Sequence, residues 1–136
     1  MNVDSNNIAK VIVLNNENKI LVLNRTDNGR FDLPGGHLHV GEDPYVGAIR
    51  EVYEETKIVL LELNEIAKYK RKMLFKCEKY DMPNSKIELD LNENVSYTWM
   101  NSKDFLKIDV NNATDVIVAY KAFIMDDEKF WKKFRD

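Results

Sequence analysis

The sequence predicts an α+β fold: a mixed β-sheet covered by helices on both faces. Three observations predict it. β-branched and alternating apolar runs recur along most of the chain, a helical segment from Asp43 to about Lys57 sits among them, and an apolar helical stretch, Thr114–Met125, follows them. At 136 residues, 44% hydrophobic and 32% charged, the chain suits one domain, 1–136, with a real core, not a disordered segment.

Taken in order, residues 1–7 are polar and expected to be loose. Ile8–Leu14 reads as a strand, Asn15-Asn16-Glu17-Asn18 as a turn and Lys19–Asn24 as a second strand, so the pair reads as a hairpin. A turn-rich loop, Arg25–Arg30, leads to a short extended Phe31-Asp32-Leu33, stopped by Pro34. Gly35–Gly41 reads as a loop. The helix follows, with Pro44 in its first turn, where a missing N–H costs nothing. Val59–Ile66 and Tyr69–Tyr80 read as strands, Met82-Pro83-Asn84-Ser85 as a turn, and Ile87–Leu91 and Val95–Met100 as further strands. Asn101-Ser102 opens a helical turn over Lys103–Leu106. The last helix carries Val116, Ile117, Ala119, Tyr120, Phe123 and Ile124. Asp126–Phe134 continues it as an amphipathic end with Phe130, Trp131 and Phe134, which leaves a homodimer contact open.

The net charge of −3 makes no electrostatic case for a nucleic-acid or membrane surface as partner. Cys77 is the single cysteine, which rules out an intramolecular disulfide and fits a reducing compartment; its place in an alternating strand marks a small core residue. The first residues lack a charged-then-apolar signal pattern, and no apolar run approaches membrane-spanning length. A cytoplasmic protein is expected.

On the central helix, Glu51, Glu54 and Glu55 stand at i, i+3 and i+4, within an arc of roughly 100°. Val46, Ile49, Val52 and Tyr53 are expected on the opposite side, packed on the core, with the acids facing out. Like charges at this spacing repel, and no lysine lies between Glu51 and Thr56 to relieve them. The helix alone supports two readings equally: a solvated charged face, or a site for hard divalent cations, which want several oxygen ligands.

The surrounding residues favour the second. Gly36, Glu42 and the run Arg50-Glu51-Val52-Tyr53-Glu54-Glu55-Thr56, closing at Ile58 and preceded by Leu33-Pro34-Gly35, resemble the Nudix hydrolase signature. Lys57 departs from it, standing where the family has glycine. A lysine in the left-handed conformation that ends such a helix costs roughly 1 kcal/mol, and no candidate ligand is lost by the change.

The resemblance implies an α/β/α sandwich with a mixed sheet and a hydrolase splitting a diphosphate bond in a nucleoside diphosphate linked to another group. It implies Mg²⁺, with Mn²⁺ as a substitute, held by Glu51, Glu54, Glu55 and the Gly35 carbonyl. It implies an Arg50–Glu42 ion pair fixing the loop on the helix, with Gly36 a structural part of the motif. The base would be Glu54 or an acid on a later loop, where Glu93 fits best and Glu88 competes. Arg25 and the region of Phe31 resemble substrate contacts, though a surface cation and a core aromatic serve as well. His37 and His39 are not taken as ligands. Lys68-Tyr69-Lys70-Arg71-Lys72 is a basic patch able to steer a polyphosphate or RNA end, or else a solvated strand edge. No downstream run marks a substrate, which leaves nucleoside triphosphates, nucleotide sugars and capped RNA ends open. A silent nucleotide-binding sensor is the alternative, which the intact acid set disfavours. An isomerase is the third reading, for which Cys77 makes a poor candidate.

Overall fold

The computed structural model describes residues 4–124. Its first strand, β1 (Asp4–Val13), is paired on both edges. Downstream come β2 (Ile20–Arg25), β3 (Phe31–Asp32), β4 (Gly35–His39), β5 (Val59–Leu60), β6 (Asn64–Tyr69), β7 (Lys72–Cys77), β8 (Tyr80–Asp81) and β9 (Asn94–Met100). The main sheet runs β4-β1-β7-β6 and is mixed: β1 is antiparallel to β4 and parallel to β7. A second sheet runs β3-β2-β9, and β5 pairs with β8. Helices α1 (Pro44–Thr56), α2 (Ser102–Leu106) and α3 (Asp115–Ile124), with a 3₁₀ turn at Val110–Asn112, complete the described chain.

Strand periodicity assigns the layers. Ala9, Val11 and Val13 of β1 join Leu21, Leu23 and Phe75 in a buried cluster beneath Ala48 and Val52 of α1. Ile12 and Leu14 join Ile20, Val22 and Leu74 in another, beneath Phe105 of α2 and Val116, Ile117 and Tyr120 of α3. Successive side chains go to opposite faces, so one strand serves two cores and the expected helix–sheet–helix arrangement results.

Helix α1 is capped at both ends. The Asp43 carboxylate accepts from the N–H groups of Tyr45 and Val46, satisfying donors that the first turn leaves open. Lys57 takes the left-handed conformation (φ 64°, ψ 18°) and donates its N–H to Tyr53 O, with its ammonium 5.0 Å from the Tyr53 ring centre. Lys57→Gly is expected to leave the melting temperature unchanged or raise it, because glycine adopts this conformation without the steric cost. A clear drop in a thermal melt would show that the ring contact outweighs the backbone strain.

Several elements differ from expectation. Residues 4–7 belong to β1, with Asp4 opposite His39, instead of being loose. Lys19–Asn24 makes no hairpin ladder with β1: both edges of β1 are taken, so the two strands share only the Leu14–Ile20 bridge and β2 leads into the second sheet. All but the last two residues of the Gly35–Gly41 segment form a strand, Gly35–His39, which pairs with one of those edges. Val59–Ile66 divides between β5 and β6, and Tyr69–Tyr80 is interrupted twice, by the Lys70–Arg71 turn between β6 and β7 and by the break between β7 and β8. Ile87–Leu91 is not a strand: its Glu88 and Asp90 N–H groups go to the carbonyls of Thr56 and Glu55, which the end of α1 leaves free. Val46, Ile49 and Tyr53 are exposed, at 57%, 37% and 44%, and the buried side of α1 is Gly47, Ala48, Val52, Glu55 and Thr56. The helix docks through its small residues: a Cβ on Gly47 would stand 2.3 Å from Leu38 Cδ2 of β4. That contact rotates two of the acids inward. Met125 and the Asp126–Phe134 segment lie outside the described residues.

Candidate active site

The two sheets and the start of α3 enclose an open cleft of about 330 Å³. Gly35 and Gly36 of β4 and the carboxylates of Glu51, Glu54 and Glu55 form one wall. Arg25, Asp32 and Lys10 also line it, and the segment leading into β9 brings Asp90, Glu93 and Asn94.

Glu55 is the acid the fold treats most unusually. It is buried, at 7% exposure. Its Oε1 accepts from the Gly35 N–H (2.7 Å) and its Oε2 from Asn94 Nδ2 (3.3 Å). Burial pushes its pKa up to about 7, against the pull of the Lys10 ammonium. Glu51 is half-buried and raised for the same reason, although Arg50 opposes the shift. Its carboxylate lies against Gly36, where a Cβ would stand 2.7 Å from Oε2. Glycine there leaves room for the acid. Glu54 is exposed at the mouth.

Arg50 organises the loop and the helix together. Its Nε and Nη2 donate to the two oxygens of Glu42 at 2.9 and 3.0 Å, a paired arrangement that suits a planar guanidinium. This bonding holds the Glu42 carboxyl at about 2 and raises Arg50 above its ordinary value. Nη1 reaches Glu51 (3.0 Å) and both oxygens of Glu54 (3.2 Å), and Nη2 also donates to His37 O. Glu42 further accepts the His39 N–H. Among the described residues, no three acid, histidine or cysteine side chains converge at ligand spacing. Arg50 holds Glu51 and Glu54, while Gly35 and Asn94 hold Glu55. The donor set is nonetheless all oxygen, with two carboxylates partly stripped of water, which is chemistry that a hard divalent cation fits.

The other sequence-predicted residues divide. Glu93 lines the cleft, its backbone tied to Asp90 O and to the Thr26 N–H. Glu88 lies outside it, bonded to Asn84. Arg25 reaches the cleft with its guanidinium engaged by Asp27 (2.8 and 2.9 Å) and Asp32 (3.3 Å). Phe31 does not line the cleft; it packs against the α3-side core. His37 is exposed along the cleft wall, and His39 Nδ1 stands 4.0 Å from Glu42. Cys77 is buried, its thiol pushed up by that burial. In the basic run, Lys72 lines the cleft and pairs with Asp115, while Lys68, Lys70 and Arg71 are exposed around the β6–β7 turn.

Lys10, Asp32, Asp90, Asn94 and Thr114 also face the cleft, and the sequence reading did not single them out. Lys10 left a signal, as the one cation inside the apolar run Ile8–Leu14. The others resemble ordinary loop and cap residues.

The raised carboxyls carry a stability consequence. A group whose folded pKa exceeds its unfolded value binds more protons in the native state, so its contribution is present below about 4.5 and lost as pH rises through about 7. In chelator, the urea midpoint is therefore expected to be lower at pH 7.5 than at pH 5.5, and Glu55→Gln to remove most of the difference. A flat or rising midpoint would contradict this. The depressed Glu42 acts with the opposite slope, between about 2 and 4.5.

The NUDIX domain family matches residues 5–120. A MutT-like protein of Streptomyces ambofaciens is 30% identical over 95 residues, covering 65% of this chain and 59% of that protein, so the match spans less than two thirds of the relative. An RNA pyrophosphohydrolase of Pelagibacter ubique is 28% identical over 95% of this chain and 92% of its own length. Among solved structures, a MutT protein from Methanosarcina mazei Go1 superposes with a TM-score of 0.69 at 22% identity, over 88% of this chain and 92% of that one.

Proposed function

The chain belongs to the NUDIX family, and from that premise we propose that it hydrolyses a diphosphate bond in a nucleoside diphosphate linked to another group, such as a nucleoside triphosphate or nucleotide sugar. The observation that carries the reading is the position of Glu55. It is buried at the floor of the cleft, against the Gly35 N–H and beside Glu51, with a pKa that burial lifts to about 7. A fold that buries a carboxylate without a full counter-charge has a use for a cation there.

Mg²⁺ is the proposed cofactor, with Mn²⁺ as a substitute; when bound it neutralises charge on the diphosphate oxygens and lowers the pKa of a water. Glu51, Glu54, Glu55 and the Gly35 carbonyl would hold it; in the structure Glu51 and Glu54 accept from Arg50 Nη1. Arg50 stays on Glu42 and keeps the helix registered against the loop. The proton of the attacking water goes to Glu54 or to Glu93, the acid that the later loop brings into the same cleft. Arg25 faces the cleft as a cation for substrate phosphate, its charge shared with Asp27 and Asp32. Phe31 supports Thr114 through its carbonyl (2.9 Å) instead of meeting substrate itself. The cytoplasm suits such a substrate, and capped RNA ends belong on the same test panel.

That test is a phosphate- and pyrophosphate-release assay with Mg²⁺ over nucleoside triphosphates, nucleotide sugars, ADP-ribose, dinucleoside polyphosphates and capped RNA, using Glu54→Gln as the blank. Turnover of one class, lost in the blank, establishes the reaction and its substrate. No turnover anywhere, with ligand-dependent thermal shifts, would replace the hydrolase by a nucleotide-binding domain.

A further inference from the structure

Lys10 is a cation at a position where its own strand buries apolar residues. It is 9% exposed and projects to the same side of β1 as Ile12 and Leu14. An ammonium has three protons to donate. All three have acceptors within one short segment: Asp32 Oδ2 at 2.9 Å, Leu33 O at 3.0 Å and Gly35 O at 3.2 Å. Asp32 is anchored in turn, its Oδ1 accepting from Leu33 N (2.8 Å) and Thr114 Oγ1 (2.9 Å).

We propose that Lys10 is a positioning residue for the cation site, its ammonium gathering Asp32, Leu33 and Gly35 so that the Gly35 carbonyl is held at the cleft floor. The inference rests on the reading of that carbonyl as a ligand given above. The segment needs such a hold. Gly35 sits at φ 128°, pressed against β1 opposite Lys10, and its two peptide groups have divided duties. Its N–H is spent on Glu55. Its carbonyl has two lone pairs; Lys10 takes one, and the other is assigned to the cation. An outer partner of this kind typically contributes tenfold to a hundredfold in metal affinity.

Charge and position predict opposite signs, which makes the idea testable. Removing a cation beside the site would tighten binding of another cation. Losing the hold on the carbonyl would weaken it. Lys10→Met removes the donors and the charge together. Lys10→Met with Asp32→Asn removes one cation and one anion, leaving the local charge unchanged, so position alone is read. It also spares the fold an unpaired buried carboxylate should the single variant fail to fold.

The readout is Mn²⁺ affinity by electron paramagnetic resonance, without substrate, on variants whose thermal melts remain cooperative. Binding weaker by about tenfold or more in the double variant is the expected result. Wild-type affinity in the double variant, or tighter binding in Lys10→Met, overturns the proposal and leaves the cation site standing. Absence of Mn²⁺ binding by the unaltered protein overturns the site itself, and the role of Lys10 with it.

Discussion

Glu55→Gln is expected to lower the hydrolysis rate by at least two orders of magnitude, of the size that metal and proton-transfer roles carry, while the metal-free protein at pH 7.5 becomes no less stable. The two halves have one cause. Glutamine keeps an oxygen to accept the Gly35 N–H, and Asn94 can present its carbonyl to the new amide, so the packing at the cleft floor survives. What disappears is a buried charge, whose burial already lifts its pKa to about 7. Glu54→Gln should reduce the rate comparably with no stability effect, because Glu54 is exposed. Steady-state kinetics on both variants beside urea titrations in chelator would check this. A near-normal rate in both would remove the proposed mechanism.

Gly35→Ala is expected to destabilise the fold by about 3 kcal/mol or more, since strain and overpacking act together. At φ 128° an added Cβ would stand 2.1 Å from Ala9 O and 2.8 Å from Lys10 Cα, both backbone atoms of the central strand. Neither can move without breaking a ladder that β7 holds from the other side. Gly41→Ala is the matched comparison. Gly41 also has positive φ, at 78°, but nothing stands within 4 Å of its missing Cβ, so only the conformational cost of about 1 kcal/mol remains. Equal denaturation midpoints for the two variants would show that β4 is not pressed against β1.

Much of this was readable in the chain. The caps of α1 follow from Asp43, Pro44 and the polar stop at Lys57, which are local signals, and the helix came out within a residue of expectation. The apolar runs of β1 and β2 revealed strands because β-branched residues bounded by turn residues are also a local signal, and both faces of these strands are buried. Partnership was harder. Nothing within Lys19–Asn24 says that β1 has no free edge, since that depends on Gly35–His39 and Lys72–Cys77 arriving from far along the sequence. Ile87–Leu91 alternates as a strand should, yet spends its N–H groups on the end of a helix. The acids of α1 were visible as a spaced set, but that two of them turn inward was not, because it depends on the absence of side chains at Gly36 and Gly47. Glu93 could be guessed from its place before a strand, whereas Asn94, one residue on, gave no sign of reaching Glu55.

That last contact bears on how the protein can be re-engineered. One oxygen of Glu55 is held by a strand of the main sheet and the other by the first residue of β9, in the second sheet. The two halves of the cleft are therefore not interchangeable modules. A downstream loop transplanted from a relative to alter substrate choice will be read by the same carboxylate that serves the upstream motif. Grafts that retain Asn94 in register should transfer preference without loss of turnover; those that shift it by a residue should fail even when every residue of the upstream motif is intact.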